Sequence, residues 1–217
     1  MTIHLQGPDL APTSGTVKRL VILLHGLGSD GNDLIGLAPL MKEALPDTHF
    51  ISPNAPFPCD MAPYGHQWFS LQDRSLGAML KGVRTVAPIV NQFIDAQRDR
   101  FKLRDADIAL LGFSQGTMTS LYVGPRRSKP LAGIVGFSGA MIGADLLHDE
   151  IRSKPPVCLI HGEEDMVVPF AAMQHATYAL ATEHVEVESH ARPYLPHSID
   201  PEGLDIAVNF LKKCFGI

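Results

Sequence analysis

Apolar positions along the chain fall into two alternating patterns. Residues 19–24 (RLVILL) and 108–113 (IALLGF) are nearly unbroken apolar runs, as expected of strands covered on both faces. Residues 131–137 and 157–160 repeat that pattern, and 49–52 reads as a shorter strand. Between these runs the period changes. Leu34, Leu37, Met41 and Leu45 recur at helical spacing within 31–45, and Leu80, Val83, Val86, Val90 and Ile94 do so within 75–101. Pro88 should kink or divide that second helix, because it cannot donate to the preceding turn. Residues 115–123 and 170–182 are also helical in pattern. Residues 184–188 alternate Val185 and Val187 with glutamates, which predicts a strand with one wetter face, close to a sheet edge. Asp200 and Pro201 make a favourable start for a last helix through Leu204, Val208 and Leu211. This β–α alternation predicts one α/β domain over 1–217, with a mainly parallel central sheet and helices on both faces.

Ligands of such sheets bind beyond the carboxyl ends of the strands, so the residues that follow each apolar run carry the candidate chemistry. After the run at 108–113, Gly112-Phe113-Ser114-Gln115-Gly116 satisfies G-x-S-x-G between a strand and a helix. That context suits a nucleophile elbow, with Ser114 raised above the sheet and a helix N-terminus behind it. A serine hydroxyl needs a base within hydrogen-bond reach. His197 lies in the loop between the last strand and the last helix, where a Ser…Asp…His chain order requires it. His184 and His190 flank that strand, His148 and His175 fall in helices, and His4, His49 and His66 precede the elbow. Each of these suits a surface or structural role better. The acid that orients the imidazole should follow the run at 157–160, where Glu163, Glu164 and Asp165 are all available. Asp165 precedes Met166-Val167-Val168-Pro169, which should return the chain toward the core. Two backbone N–H groups complete the set as an oxyanion hole. They are Gln115, after the nucleophile, and Leu27, within the glycine-rich turn after the run at 19–24. His25 is expected to be buried and hydrogen-bonded.

Composition narrows the classes. Of the 217 residues 45% are hydrophobic and 19% charged, with a net charge of −5, which fits a folded globular chain. The mildly acidic balance gives no electrostatic reason to expect nucleic acid as a partner. Arg126-Arg127 and Lys212-Lys213 read as solvated surface. Residues 1–7 lack the basic flank and apolar stretch of a signal peptide, and no run is long enough for a membrane span. The three cysteines, Cys59, Cys158 and Cys214, show neither a disulfide framework nor a zinc spacing. Cys158 should act as a small buried hydrophobe. A reducing, cytoplasmic setting follows as the expectation. The glycines at 26, 28 and 31 do not spell a dinucleotide or phosphate loop, and no histidine pair has H-E-x-x-H spacing. No cofactor and no metal are expected.

Four segments together resemble the phospholipase/carboxylesterase family of α/β-hydrolases, which includes bacterial carboxylesterases and acyl-protein thioesterases. They are L-H-G-L-G-S-D-G at 24–31, G-F-S-Q-G at 112–116, H-G-E-E-D-M-V-V-P at 161–169 and H-S-I at 197–199. The resemblance implies an α/β-hydrolase fold, selects Asp165 as the acid, and supports Leu27 and Gln115 as oxyanion donors. It also implies that Trp68 lies near the acyl site, within a groove segment at 53–71; Met166, beside Asp165, is a second candidate substrate contact. Homodimers are common in the family. Two departures stand out: Thr117 replaces a further glycine after S-Q-G, and the loop before His197 reads Pro193-Tyr194-Leu195-Pro196 rather than glycine-rich. No long inserted lid is evident.

The chemistry expected is acyl transfer from a small-molecule ester or acyl-thioester. Ser114 attacks, His197 takes its proton and later activates water, and Asp165 holds the imidazole. Because His197 must be neutral to act as base, activity should rise as the imidazole loses its proton. A carboxylesterase for short to medium acyl chains is the first reading, and an acyl-protein thioesterase or lysophospholipase-type activity the alternative. A non-catalytic hydrolase-fold binding protein is a third, which the intact set of groups argues against.

Overall fold

The computed structural model describes residues 3–217, so Met1 and Thr2, part of the segment read for a leader, lie outside the described residues. Seven strands form the central sheet: β1 (Asp9–Leu10), β2 (Arg19–Leu24), β3 (Thr48–Ile51), β6 (Ile108–Phe113), β7 (Gly133–Phe137), β8 (Val157–Gly162) and β9 (Val187–Arg192). A small hairpin, β4 (Phe57–Pro58) with β5 (His66–Gln67), lies apart from it. The order is β1-β3-β2-β6-β7-β8-β9, and every neighbouring pair is parallel except β1 with β3. From β2 the chain first adds β3 on one side, then crosses to place β6 on the other. The direction of winding therefore reverses between β2 and β6, where a crevice opens at the strand ends.

Two apolar layers explain the unbroken strand patterns. Leu20, Ile22 and Leu24 of β2 point to one face, with Ile108 and Leu110 of β6. That face is covered by α3 (Leu76–Phe101), α4 (Gln115–Val123) and α6 (Ala171–Thr182). Val21, Leu23, Ala109 and Leu111 point to the other, beneath the short helices α1 (Gly31–Leu34) and α2 (Ala38–Met41) and the last helix α7 (Pro201–Phe215). A further short helix, α5 (Leu147–Glu150), precedes β8. Among the described residues no helix is long and apolar enough to cross a membrane.

Several sequence expectations change. The helix expected over 31–45 is split into α1, a 3-10 turn at Ile35–Leu37 and α2. Pro39 has no N–H to return to the Ile35 carbonyl, and the turn before it tightens to 3-10 geometry, with the proline at the start of α2. In α3, by contrast, Pro88 does not divide the helix, which runs on from a Ser75 cap. Val83, Val86, Val90 and Ile94 are buried on both sides of the proline, and that packing outweighs one lost hydrogen bond. The edge strand begins at Val187, not His184. His184 takes a left-handed φ of 57° and Val185 N–H closes on the Leu180 carbonyl, so 184–185 terminate α6. Short β1 is invisible as a pattern because it has no apolar run.

Arg126 and Arg127 are not solvated surface. Arg127 is 8% exposed and reaches Asp95 at 2.8 Å and Asp105 at 2.6 Å. Arg126 pairs with Glu150 at 2.7 Å and stacks on Tyr122. Their acidic partners are distant in sequence, so no local charge pattern marks them. Arg127→Leu should leave Asp105 with only the 3.4 Å contact to Arg98 and cost about 3 kcal/mol, the low end for breaking a buried pair. Urea unfolding measures the loss; a change below about 0.5 kcal/mol would place the pair among ordinary surface bridges.

Candidate active site

Ser114 is held in a backbone conformation that few non-glycine residues adopt, with φ 53° and ψ −115°. Ser114 N–H donates to the Phe137 carbonyl at 2.9 Å, and Met118 N–H to the Ser114 carbonyl at 3.1 Å. The flanking glycines are required by contact. A Cβ on Gly116 would sit 1.7 Å from the Leu24 carbonyl oxygen, and one on Gly112 would sit 2.4 Å from the Thr117 nitrogen. The elbow can therefore press against β2, whose end leads into His25-Gly26-Leu27. Thr117, in place of the further glycine, donates its hydroxyl to the Phe137 carbonyl at 2.8 Å. Its side chain fills the space left by Gly136 and Gly139, where a Cβ would come within 2.6 and 2.3 Å of it.

Asp165 and His197 are brought together by two turns that touch. Gly162 ends β8, and a Cβ there would meet the Leu195 carbonyl at 2.1 Å. Glu163 N–H donates to the Arg192 carbonyl and Glu164 N–H to the Leu195 carbonyl, which pins the histidine loop to the aspartate turn. Arg192 anchors the far end of that loop through Asp200 and Glu202. His197 Nδ1 lies 2.7 Å from Asp165 Oδ2. An ionised carboxylate only accepts, so Nδ1 carries the proton and Nε2 is left bare. Asp165 Oδ1 accepts from Val167 N–H and Val168 N–H, each at 2.9 Å. Burial alone would raise the Asp165 pKa. The hydrogen bonds from His197, Val168 and Val167 outweigh it and hold the carboxyl below its ordinary value. His161, fully buried, places Nε2 at 2.9 Å from the Val168 carbonyl and 3.3 Å from Asp165 Oδ2. Sequence reasoning missed this second imidazole, although H-G-x-x-D contains it.

Ser114 and His197 both line a cavity of about 430 Å³. No direct hydrogen bond joins the Ser114 hydroxyl to the imidazole among the described residues. Such bonds commonly tighten only when substrate binds. The His197 ring packs on Phe113, with centroids 4.8 Å apart. Gly26 and Leu27 line the same cavity, and a Cβ on Gly26 would lie 3.4 Å from the Ser114 Cβ. Among the described residues neither Leu27 N–H nor Gln115 N–H meets a protein acceptor, and Gln115 N–H opens the first turn of α4. The Gln115 side chain has a further part: its Oε1 accepts from Trp68 N–H at 2.9 Å and its Nε2 donates to the Phe69 carbonyl at 2.7 Å.

Neither residue expected as a substrate contact lines this cavity. Trp68 is fully buried, off the cavity wall, and donates its indole N–H to the His25 carbonyl at 2.9 Å. It braces the turn that follows β2. Met166 is 92% exposed and also off the wall, because the Asp165 turn directs Val168 inward and Met166 outward. The wall is made by Leu71, Met79, Met118, Ala140, Val168 and Ala172, with Asp33 and Arg74 also lining the cavity. These residues come from separate loops and helices, and no spacing signals them.

A family model described as phospholipase/carboxylesterase matches residues 6–215. The chain belongs to that family. This hydrolase is similar to the crystal structure of esterase PE8, with 41% identity, a TM-score of 0.94, and 98% and 100% of the two chains covered. It is 28% identical to acyl-protein thioesterase 1 of Emericella nidulans, over 96% of this chain and 95% of that one. The Bacillus cereus carboxylesterase structure, at 17% identity and a TM-score of 0.79 over 97% and 95%, shares the fold. The architecture is accordingly an α/β-hydrolase fold.

As expected, His25 is fully buried and bonded at both ring nitrogens. Nε2 accepts from Ala55 N–H at 3.0 Å, so Nδ1 carries the proton and donates to the Gly26 carbonyl at 2.7 Å. Burial lowers its pKa below 6.5, despite the bond to Gly26, and burial lowers that of His49 likewise. The unfolded chain therefore binds protons that the native state refuses, and stability is lost as pH falls below about 6.5. His25→Asn should flatten this part of the stability–pH curve, read by urea unfolding at stepped pH. An unchanged slope would contradict the assignment.

Proposed function

We propose that the hydrolase cleaves carboxylic esters of short to medium acyl chains through an acyl-enzyme on Ser114, the whole chain acting as one α/β-hydrolase unit. The observation that carries this reading is the 2.7 Å bond from His197 to Asp165 behind a cavity that Ser114 and Leu27 also line. Ser114 Oγ attacks the carbonyl carbon as His197 Nε2 takes its proton. The charge on the carbonyl oxygen is met by the N–H groups of Leu27 and Gln115 and by the N-terminal end of α4. Asp165 stays ionised and steadies the imidazolium. The proton passes to the departing alcohol or thiol. Water, deprotonated by His197, then releases the acid and restores Ser114.

The apolar wall suits an acyl chain, and its volume is within the range of small-molecule sites. Thioesters are a second reading, favoured by the likeness to acyl-protein thioesterase 1. The same groups serve both, since a thiol leaves more readily than an alcohol. Cys59, Cys158 and Cys214 are all free thiols, in keeping with a reducing, cytoplasmic setting.

Ser114→Ala should lower hydrolysis of p-nitrophenyl butyrate by about 10⁴-fold or more while leaving thermal unfolding unchanged; a folded variant with wild-type turnover refutes the nucleophile. Met118→Trp should shorten the cavity, cutting kcat/KM for p-nitrophenyl octanoate about tenfold more than for the acetate. Equal losses on both would move the acyl chain elsewhere. Matched ester and thioester substrates of one acyl length rank the two readings.

A further inference from the structure

A second group of chemically able side chains lies at the sheet edge, away from the cavity. Cys158 of β8 faces Glu188 of β9 directly across the ladder, and His190 follows two residues later on the same face of β9. A ligating atom from each, the Cys158 sulfur, a Glu188 oxygen and a His190 ring nitrogen, lies within 4.8 Å of the other two. His190 Nε2 is 3.7 Å from Glu188 Oε2. That nitrogen is buried and has no hydrogen-bond partner among the described residues. Native structures rarely leave such an atom unpaired.

We propose that Cys158, Glu188 and His190 form a binding site for a divalent cation of the zinc class, with water as the fourth ligand. Sulfur, imidazole nitrogen and carboxylate oxygen are together the donors that zinc accepts. Thiolate and carboxylate supply two negative charges, which a divalent ion cancels, so the half-buried site becomes neutral when filled. Bonds of about 2.0–2.3 Å in a tetrahedron set ligand atoms roughly 3.3–3.8 Å apart. The Glu188–His190 separation already meets this, and the thiol is reached by side-chain movements of about 1 Å. Cys158 is fully buried and fixed, whereas Glu188 and His190 are each 36% exposed and free to adjust. The exposed edge also admits the ion and the water.

Lys213 is the competing cation. Its Nζ lies 2.9 Å from Glu188 Oε1 and 2.8 Å from Glu186 Oε1. Oε2 is the oxygen nearest His190, so the lysine can keep its partners while Oε2 turns to the metal. A filled site would join the edge strand β9 to β8, and β9 leads directly into the loop that carries His197.

The test is cobalt titration of the metal-free, reduced full chain, with ester hydrolysis followed in parallel so that the site is judged apart from the catalytic reading. One equivalent of Co²⁺ should give a near-ultraviolet thiolate-to-cobalt charge-transfer band with the visible bands of tetrahedral cobalt, and Zn²⁺ should abolish both. Cys158→Ser should lose the charge-transfer band. His190→Gln, at the exposed edge where folding is safe, should weaken binding about tenfold or more, and Cys214→Ser should bind as the wild type. Absence of the band overturns the proposal. So does wild-type affinity in His190→Gln, or a band lost with Cys214 instead, which would put the thiolate on the last helix.

Discussion

The contact between the turn after β6 and the end of β2 governs the rest of the structure. Gly116, in the first turn of α4, lies against the Leu24 carbonyl so closely that any side chain would force the helix away from β2. This contact lets Ser114 occupy a left-handed φ that costs of order 1–3 kcal/mol and persists only when its surroundings hold it. The bond from Ser114 N–H to the Phe137 carbonyl supplies part of that hold. It also sets the elbow beside the Leu27 turn, at the point where the winding of the sheet reverses. Strain, glycine contact and topology therefore bear on one atom, the Ser114 hydroxyl oxygen, which is why the elbow has its place between β2 and β7.

A second contact of the same kind orders the other half of the site. Gly162 admits the Leu195 carbonyl, and the pinned loop then presents His197 to Asp165. The loop sequence Pro193-Tyr194-Leu195-Pro196 departs from a glycine-rich pattern, and Tyr194 takes the left-handed φ of 60° that a glycine would adopt without strain, while Gly162 provides the clearance for the Leu195 carbonyl. Thr117 follows the same rule. Its bulk is accepted because Gly136 and Gly139 give way.

Much of this was legible in the sequence where one segment carries its own signal. Residues 19–24 and 108–113 are strands with those limits, and α4 spans 115–123, because their patterns are set by burial on both faces. The loops holding Ser114, Asp165, His197 and Leu27 followed from strand ends and chain order. What escaped depends on pairs of distant residues. Arg127 looks like surface until Asp95 and Asp105 reach it. Trp68 and Met166 lie off the cavity that Val168, Met118 and Leu71 line, because those residues are gathered from separate segments by the fold. The Cys158, Glu188 and His190 group is set by cross-strand register, so no spacing along the chain could reveal it.

We propose Ser114 as the activated nucleophile, poised by His197 and Asp165. Covalent capture by a fluorophosphonate, followed by peptide mass mapping, tests it most directly. A single adduct per chain is expected, on Ser114, formed far more slowly when His197 is replaced by alanine. An adduct on any other residue, or equally fast capture without His197, would contradict it.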